Sequence, residues 1–158
     1  MRDEFIIPTY NLTLKAAERM IAAAVARAEE LSVSVCIVVV DGGANLLGYA
    51  RMDGARISAE KSAVAKVVTA ASIGGETGQA PFELGLQLAI ATGGQWTNLK
   101  AGTPVVYAGH VIGGVGGASI EQDIDISQAA VATLGFSTTY LFDALPPPDL
   151  ALPRRYRN

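Results

Sequence analysis

The chain has 158 residues, a net charge of −3, half its residues apolar (50%) and only 17% charged. That length fits one compact domain, and so apolar a composition excludes intrinsic disorder. The weak negative charge, with no basic cluster before Arg154, Arg155 and Arg157, argues against nucleic-acid binding, and no apolar run approaches the ~20 residues of a membrane span.

Much of the apolar content is small. There are 26 alanines and 17 glycines, and aromatic residues make up only 6%. Small side chains bury little area each, so a lean core gains from burying more surface between copies, and a homo-oligomer is expected. The single cysteine, Cys36, lies in the apolar run SVSVCIVVVD and reads as a buried small hydrophobe. The first fifteen residues lack the apolar core of a secretory signal. A cytoplasmic location is the expectation.

Residues 12–31 show helical spacing of Leu14, Ala17, Ile21, Ala24, Val25 and Ala28, with Thr13 as cap. Residues 33–41 read as a central strand covered on both faces. Val33, Val35, Ile37 and Val39 point one way; Ser34, Cys36, Val38 and Val40 point the other. Asp41-Gly42-Gly43-Ala44-Asn45 is a turn, and residues 46–51 return as the second strand of a hairpin. Ser58 is the expected cap of a helix over 59–73, with Val64, Val67, Val68 and Ala71 on its apolar stripe. Gly74, Gly75 and Gly78 end that helix. A short helical segment over 81–92 stops at Gly93-Gly94, and 95–103 reads as loop. Strands over 104–107 and 111–115 enclose a turn at Ala108-Gly109-His110, and a last helix spans 121–134. Its first turn carries Glu121, Asp123 and Asp125, which suits the helix dipole. This order predicts an α+β domain over residues 1–136, two hairpins in an antiparallel sheet packed with helices. Residues 137–158, with three consecutive prolines, are expected to form an extended arm.

Few residues carry chemistry. The one histidine, His110, excludes a histidine-rich metal site. At a hairpin tip it is either a solvated turn residue or an axial haem ligand or proton carrier. Lys66 sits among alanines in the second helix. It either snorkels to the surface or pairs with Asp41, Asp53 or Asp123 in a pocket, where it would hold an acidic ligand or act as a base. Arg51 is a candidate for bidentate carboxylate binding. Trp96 and Tyr107 are candidates for lining a flat apolar pocket. The run Gly113 to Gly117 lacks the lysine and spacing of a phosphate loop, so close backbone approach is the better reading.

Three stretches taken together, VVVDGGANLLGYARMDGA (38–55), AVAKVVTAAS (63–72) and GTPVVYAGHVIGGVGGASIEQDIDIS (102–127), resemble the GlcG/HbpS-like family of haem-binding or haem-degrading domains. The same domain forms the carboxy-terminal part of some PduO-type adenosyltransferases. The likeness covers roughly residues 10–135. It implies a profilin-like fold, homo-oligomers and a small-molecule pocket near the oligomer surface, with haem as a possible cofactor. Asp41, Arg51, Met52, Asp53, Lys66, Thr69, Gly113, Gly116 and Asp123 fall on the recurrent motif.

Three functions compete at this level. The first is binding of haem or a related planar ligand, with Arg51, Asp53, Thr69, Trp96, Tyr107, His110 and Gly116 as ligand-binding candidates. The second is a cofactor-free lyase, isomerase or cyclase acting on a small acidic or aromatic metabolite. Lys66, Asp41 and Asp123 would then be catalytic, and no metal is required. The third is a non-catalytic assembly role.

Overall fold

The computed structural model describes residues 5–118 and 121–138. In chain order the elements are α1 (Leu14–Glu30), β1 (Cys36–Asp41), β2 (Leu46–Arg51), α2 (Ala59–Ile73), α3 (Phe82–Ala91), β3 (Gly102–Tyr107), β4 (His110–Ala118) and α4 (Asp123–Ala132). The strands form one antiparallel sheet in the order β2-β1-β4-β3. The two expected hairpins therefore lie side by side, joined by β1 and β4, and the α+β architecture holds.

Strand β1 is where local sequence and packing agree best. It is buried along almost its whole length, as a run of branched side chains at the centre of a sheet should be. Val35, Ile37 and Val39 pack with Ala17, Met20 and Ala24 of α1 and Ile126, Ala130 and Val131 of α4. Cys36, Val38 and Val40 pack with Ala59, Ala63, Val67 and Ala71 of α2. The sheet thus separates two apolar cores, with α1 and α4 on one face and α2 on the other.

Glycine sets how closely α2 approaches the sheet. A methyl group on Gly116 would lie 2.7 Å from Val67 Cγ2, and one on Gly114 would lie 3.0 Å from Val67 O. On Gly102, paired with Gly116 across β3 and β4, it would collide with the backbone carbonyl of Lys66. Gly113 faces the other way and admits Leu12. The expected close backbone approach is the packing of α2 and of Leu12 onto these strands.

Several boundaries differ from the expectation. Helix α1 starts at Leu14, with Thr13 Oγ accepting from Ala16 N–H at 3.2 Å. Strand β1 starts three residues late, at Cys36, and β4 runs from His110 to Ala118, longer than the sequence indicated. Gly102 and Thr103 belong to β3 and not to the preceding loop. Helix α2 has the expected bounds, and left-handed Gly74 closes it. Ser58, however, makes no side-chain capping bond. The buried face of α2 carries Ala59, Ala63, Lys66, Val67, Thr69, Ala70 and Ala71, so Val67 and Ala71 of the expected apolar stripe face the sheet together with the alanines beside them, while Val64 and Val68 are half-buried. Helix α4 begins at Asp123 and leaves Glu121 in the turn before it.

The arm expected from residue 137 begins by docking. Ser137 exchanges both backbone hydrogen bonds with Val106, at 2.7 and 3.0 Å, and so adds one rung to the β3 edge. Residues 139–158 lie outside the described residues.

Candidate functional site

Lys66 does not snorkel. It is buried at 8% relative exposure, and its ammonium donates to Asp123 Oδ2 at 2.9 Å and to the Gly117 carbonyl at 3.2 Å. The Asp123 side chain is 2% exposed. Of the three carboxylates considered, the fold selects the one at the start of α4. Lys66 rises from α2 on one face of the sheet, passes the end of β4, and reaches a helix that packs on the opposite face. Desolvating two charges is unfavourable unless each is met by its partner and by further hydrogen bonds, as here. Among the described residues, Gln122 Oε1, just before Asp123, and Thr103 Oγ1 on β3 are buried without a hydrogen-bond partner.

Arg51 and Asp53 belong to the same end of the sheet, because Cys36 pairs with Arg51 on one side and Ala118 on the other. Both are exposed. Among the described residues, neither takes part in an ion pair. The Asp53 carbonyl accepts from Ser34 Oγ at 2.8 Å. Gly116 is buried beneath Val67 and Ala101, where its missing side chain makes room for α2. Thr69, one turn beyond Lys66, donates to Ala65 O at 2.7 Å and accepts from Thr97 N–H at 3.0 Å, bolting the loop after α3 to α2. Trp96 lies half-buried in that loop, its N–H donating to Thr92 Oγ1 at 2.9 Å.

The remaining candidates sit at the other end. Gly117 and His110 are seven residues apart on one strand, roughly 20 Å at the usual rise. Asp41, at the His110 end, is occupied by its own turn. Its carboxylate accepts from the N–H groups of Gly43 and Asn45, each at 2.9 Å, and from the Asn45 amide. Burial alone would raise its pKa, but the bonds from Asn45 and Gly43 outweigh that and hold the carboxyl below its ordinary value. Such a group stays ionised near neutrality and is poorly suited to carry protons. His110 is half-buried and paired with Tyr107 across the hairpin. The Tyr10 ring stands 5.5 Å from His110 and 5.4 Å from Tyr107, and Phe136 meets Tyr107 edge-on at 5.7 Å. The residues proposed from sequence therefore divide between a closed ionic end and a half-open aromatic end.

Two features escaped the sequence reading. Tyr10 and Phe136 join the aromatic cluster from segments 126 positions apart, and no local pattern signals that. Cys36 is also more than a small hydrophobe, since its sulfur lies 3.7 Å from the Tyr49 hydroxyl. That hydrogen bond, with partial burial and the nearby Glu60, pushes the Tyr49 pKa up. No cluster of three or more histidine, cysteine, aspartate or glutamate residues suited to a metal ion occurs among the described residues. None of the described helices is long and apolar enough to cross a membrane.

Comparison with known proteins places these features in context. The family model described as "Haem degrading protein HbpS-like" matches residues 12–132. A 15.0 kDa protein of the dhaT-dhaS intergenic region of Citrobacter freundii is 34% identical over 130 residues, covering 77% of this chain and 90% of that protein. The crystal structure of a PduOC:heme complex superposes with a TM-score of 0.73 at 28% identity, covering 81% of this chain and 98% of that one. A double mutant of HbpS from Streptomyces reticuli superposes with a TM-score of 0.70 at 33% identity, covering 83% and 92% of the two chains.

Proposed function

The chain belongs to the HbpS-like family, and from that premise we propose that it binds haem, or a related planar ligand, as a homo-oligomeric small-molecule-binding protein. The observation that carries this reading is the likeness to a PduOC domain solved with haem. The donor set at the aromatic end fits such a ligand. His110 offers a half-buried imidazole beside Tyr10 and Tyr107, and an imidazole is a common axial ligand for haem iron. Cys36 and Met20 are fully buried inside the two cores, so neither reaches a ligand without opening them. When bound, haem would supply an iron centre and a flat apolar face. The chain's own part is to present the His110 nitrogen and to stack rings against that face. The Lys66–Asp123 pair is assigned a positioning role, holding α2 and α4 at the far end. The cytoplasmic location stays part of the reading, supported by a single buried cysteine.

Titration of the full chain with hemin tests the proposal. A saturable Soret shift is expected, lost or displaced in His110→Ala. No shift in the parent protein would refute haem binding. A shift that is the same in His110→Ala would remove His110 as the ligand while leaving haem binding in place.

A further inference from the structure

The chain has two Asp-Gly pairs, Asp41-Gly42 and Asp53-Gly54. In such a pair the backbone nitrogen of the glycine can attack the carboxyl carbon of the aspartate side chain, because no Cβ on the second residue blocks the approach. The fold treats the two pairs differently. At Asp41 both reacting groups are engaged. The carboxylate accepts from the Gly43 and Asn45 N–H groups, each at 2.9 Å, and from the Asn45 amide. The Gly42 N–H donates to Asn11 Oδ1 at 2.8 Å. At Asp53 both groups are open. Asp53 and Gly54 are exposed in the turn between β2 and α2. Among the described residues, the Asp53 carboxylate takes part in no hydrogen bond or ion pair, and the Gly54 N–H donates to no acceptor. Gly54 has a φ of 83°, in the left-handed region that favours glycine. The backbone shape of this turn therefore requires the same residue that supplies the unhindered nitrogen.

We infer that Asp53-Gly54 is a site of spontaneous isoaspartate formation, and that the turn at Asp41 protects Asp41-Gly42 from the same reaction. The inference goes beyond the function proposed above and does not depend on haem. Gly54 N forms a bond to Asp53 Cγ. The carboxyl hydroxyl leaves with the Gly54 N–H proton as one water, and a five-membered succinimide closes. One water then opens the ring. Attack at the former side-chain carbonyl restores aspartate. Attack at the former backbone carbonyl leaves the chain running through Cγ and frees the α-carboxylate. One water leaves and one returns, so no oxidant, reductant or other reactant is consumed. The product alters the turn in a defined way. The Asp53 carbonyl, which accepts from Ser34 Oγ at 2.8 Å, becomes a carboxylate, and the main chain gains one methylene. The change falls next to the bond from Met52 N–H to Val35 O, 3.1 Å, just past the end of β2. The freed α-carboxylate is the group that S-adenosylmethionine-dependent isoaspartate methyltransferases esterify, so the aged chain becomes a substrate for that repair chemistry.

Ageing the full chain at neutral pH in heavy-oxygen water, then digesting it with trypsin, tests the inference. Cleavage after Arg27, Arg51 and Arg56 puts Asp41 in the peptide 28–51 and Asp53 in the peptide 52–56. In the folded protein the 52–56 peptide is expected to gain heavy oxygen and methyl-accepting isoaspartate at least about tenfold faster than 28–51, because several hydrogen bonds must break first at Asp41. In urea, where those bonds are gone, the two peptides should convert at similar rates. Asp53→Glu, which would have to close a six-membered ring, should lose the methyl acceptance. Asp53→Asn should keep it, passing through the same succinimide with loss of ammonia. An unreacted 52–56 peptide in the folded parent and in Asp53→Asn would overturn the inference. Methyl acceptance that persists in Asp53→Glu would place the reaction elsewhere and overturn it too. Equal conversion of both peptides in the folded parent, or a 28–51 peptide that stays unreactive in urea, would overturn the protection assigned to the Asp41 turn.

Discussion

Near the end of β4, at Gly117, an ammonium and a carboxylate are buried against each other. Where β4 begins at His110, four rings from three segments meet half-open to solvent. Both ends use residues that stand out in a chain poor in polar and aromatic side chains. The difference lies in satisfaction. Lys66 donates to a carboxylate and a carbonyl, whereas the half-buried His110 imidazole meets the Tyr10 ring. A charge locked in place positions the helices around it, and an accessible imidazole among rings is what a planar ligand needs.

Substitutions should separate the two ends, and the largest effect is expected at the ionic one. Lys66→Ala leaves Asp123 buried without its main counter-charge, which should cost ~3–5 kcal/mol in urea unfolding. The double variant Lys66→Met/Asp123→Leu should recover most of that loss. A double variant as unstable as the single one would show that the ion pair is not the source of the cost. Crowding the glycine seam comes next. Gly116→Val forces α2 off the sheet and is expected to cost ~1–3 kcal/mol or more. Gly75→Ala, where an added methyl meets only Ile73 at 4.0 Å, should stay within about 0.5 kcal/mol of the parent. Equal losses in both would contradict the packing role given to the seam. The smallest effect belongs to the turn at the aromatic end. The Asp41 carboxyl has its folded pKa lowered. Its stabilisation is therefore complete above the ordinary aspartate value of about 4 and is lost as pH falls through the lower folded value. Thermal melts at pH 6 and pH 3 should show a shallower acid loss in Asp41→Ala than in the parent. An identical acid loss would mean that the turn bonds do not favour the ionised form.

Much of the fold was legible because it is written locally. The alternation of branched residues in 33–41 named both faces of β1, and Ser58 with Gly74 bounded α2 even though Ser58 makes no capping bond. The ends of elements shifted where tertiary pairing overrode local signals, as at Gly102 and Thr103, which the β4 ladder draws into β3. The candidate residues stood out in the sequence, and their grouping in the fold did not. Lys66 had three plausible carboxylates, and only the crossing of the sheet end by α2 selects Asp123, 57 positions away. Asp41 counts in the sequence both as a turn residue and as a candidate acid, and the bonds from the Gly43 and Asn45 N–H groups and the Asn45 amide commit it to the turn. The aromatic cluster depends on Tyr10 and Phe136 being brought together from opposite ends of the domain.

The Lys66–Asp123 tie has a consequence for how the molecule comes apart. The sheet divides the interior into two cores that share β1 but are lined by different helices. Left to themselves, such layers can melt one after the other. A buried ion pair that reaches from α2 around the strand end to α4 makes each core's loss expose a charge of the other. The two halves should therefore unfold in a single cooperative transition, and cutting the tie should split that transition into two.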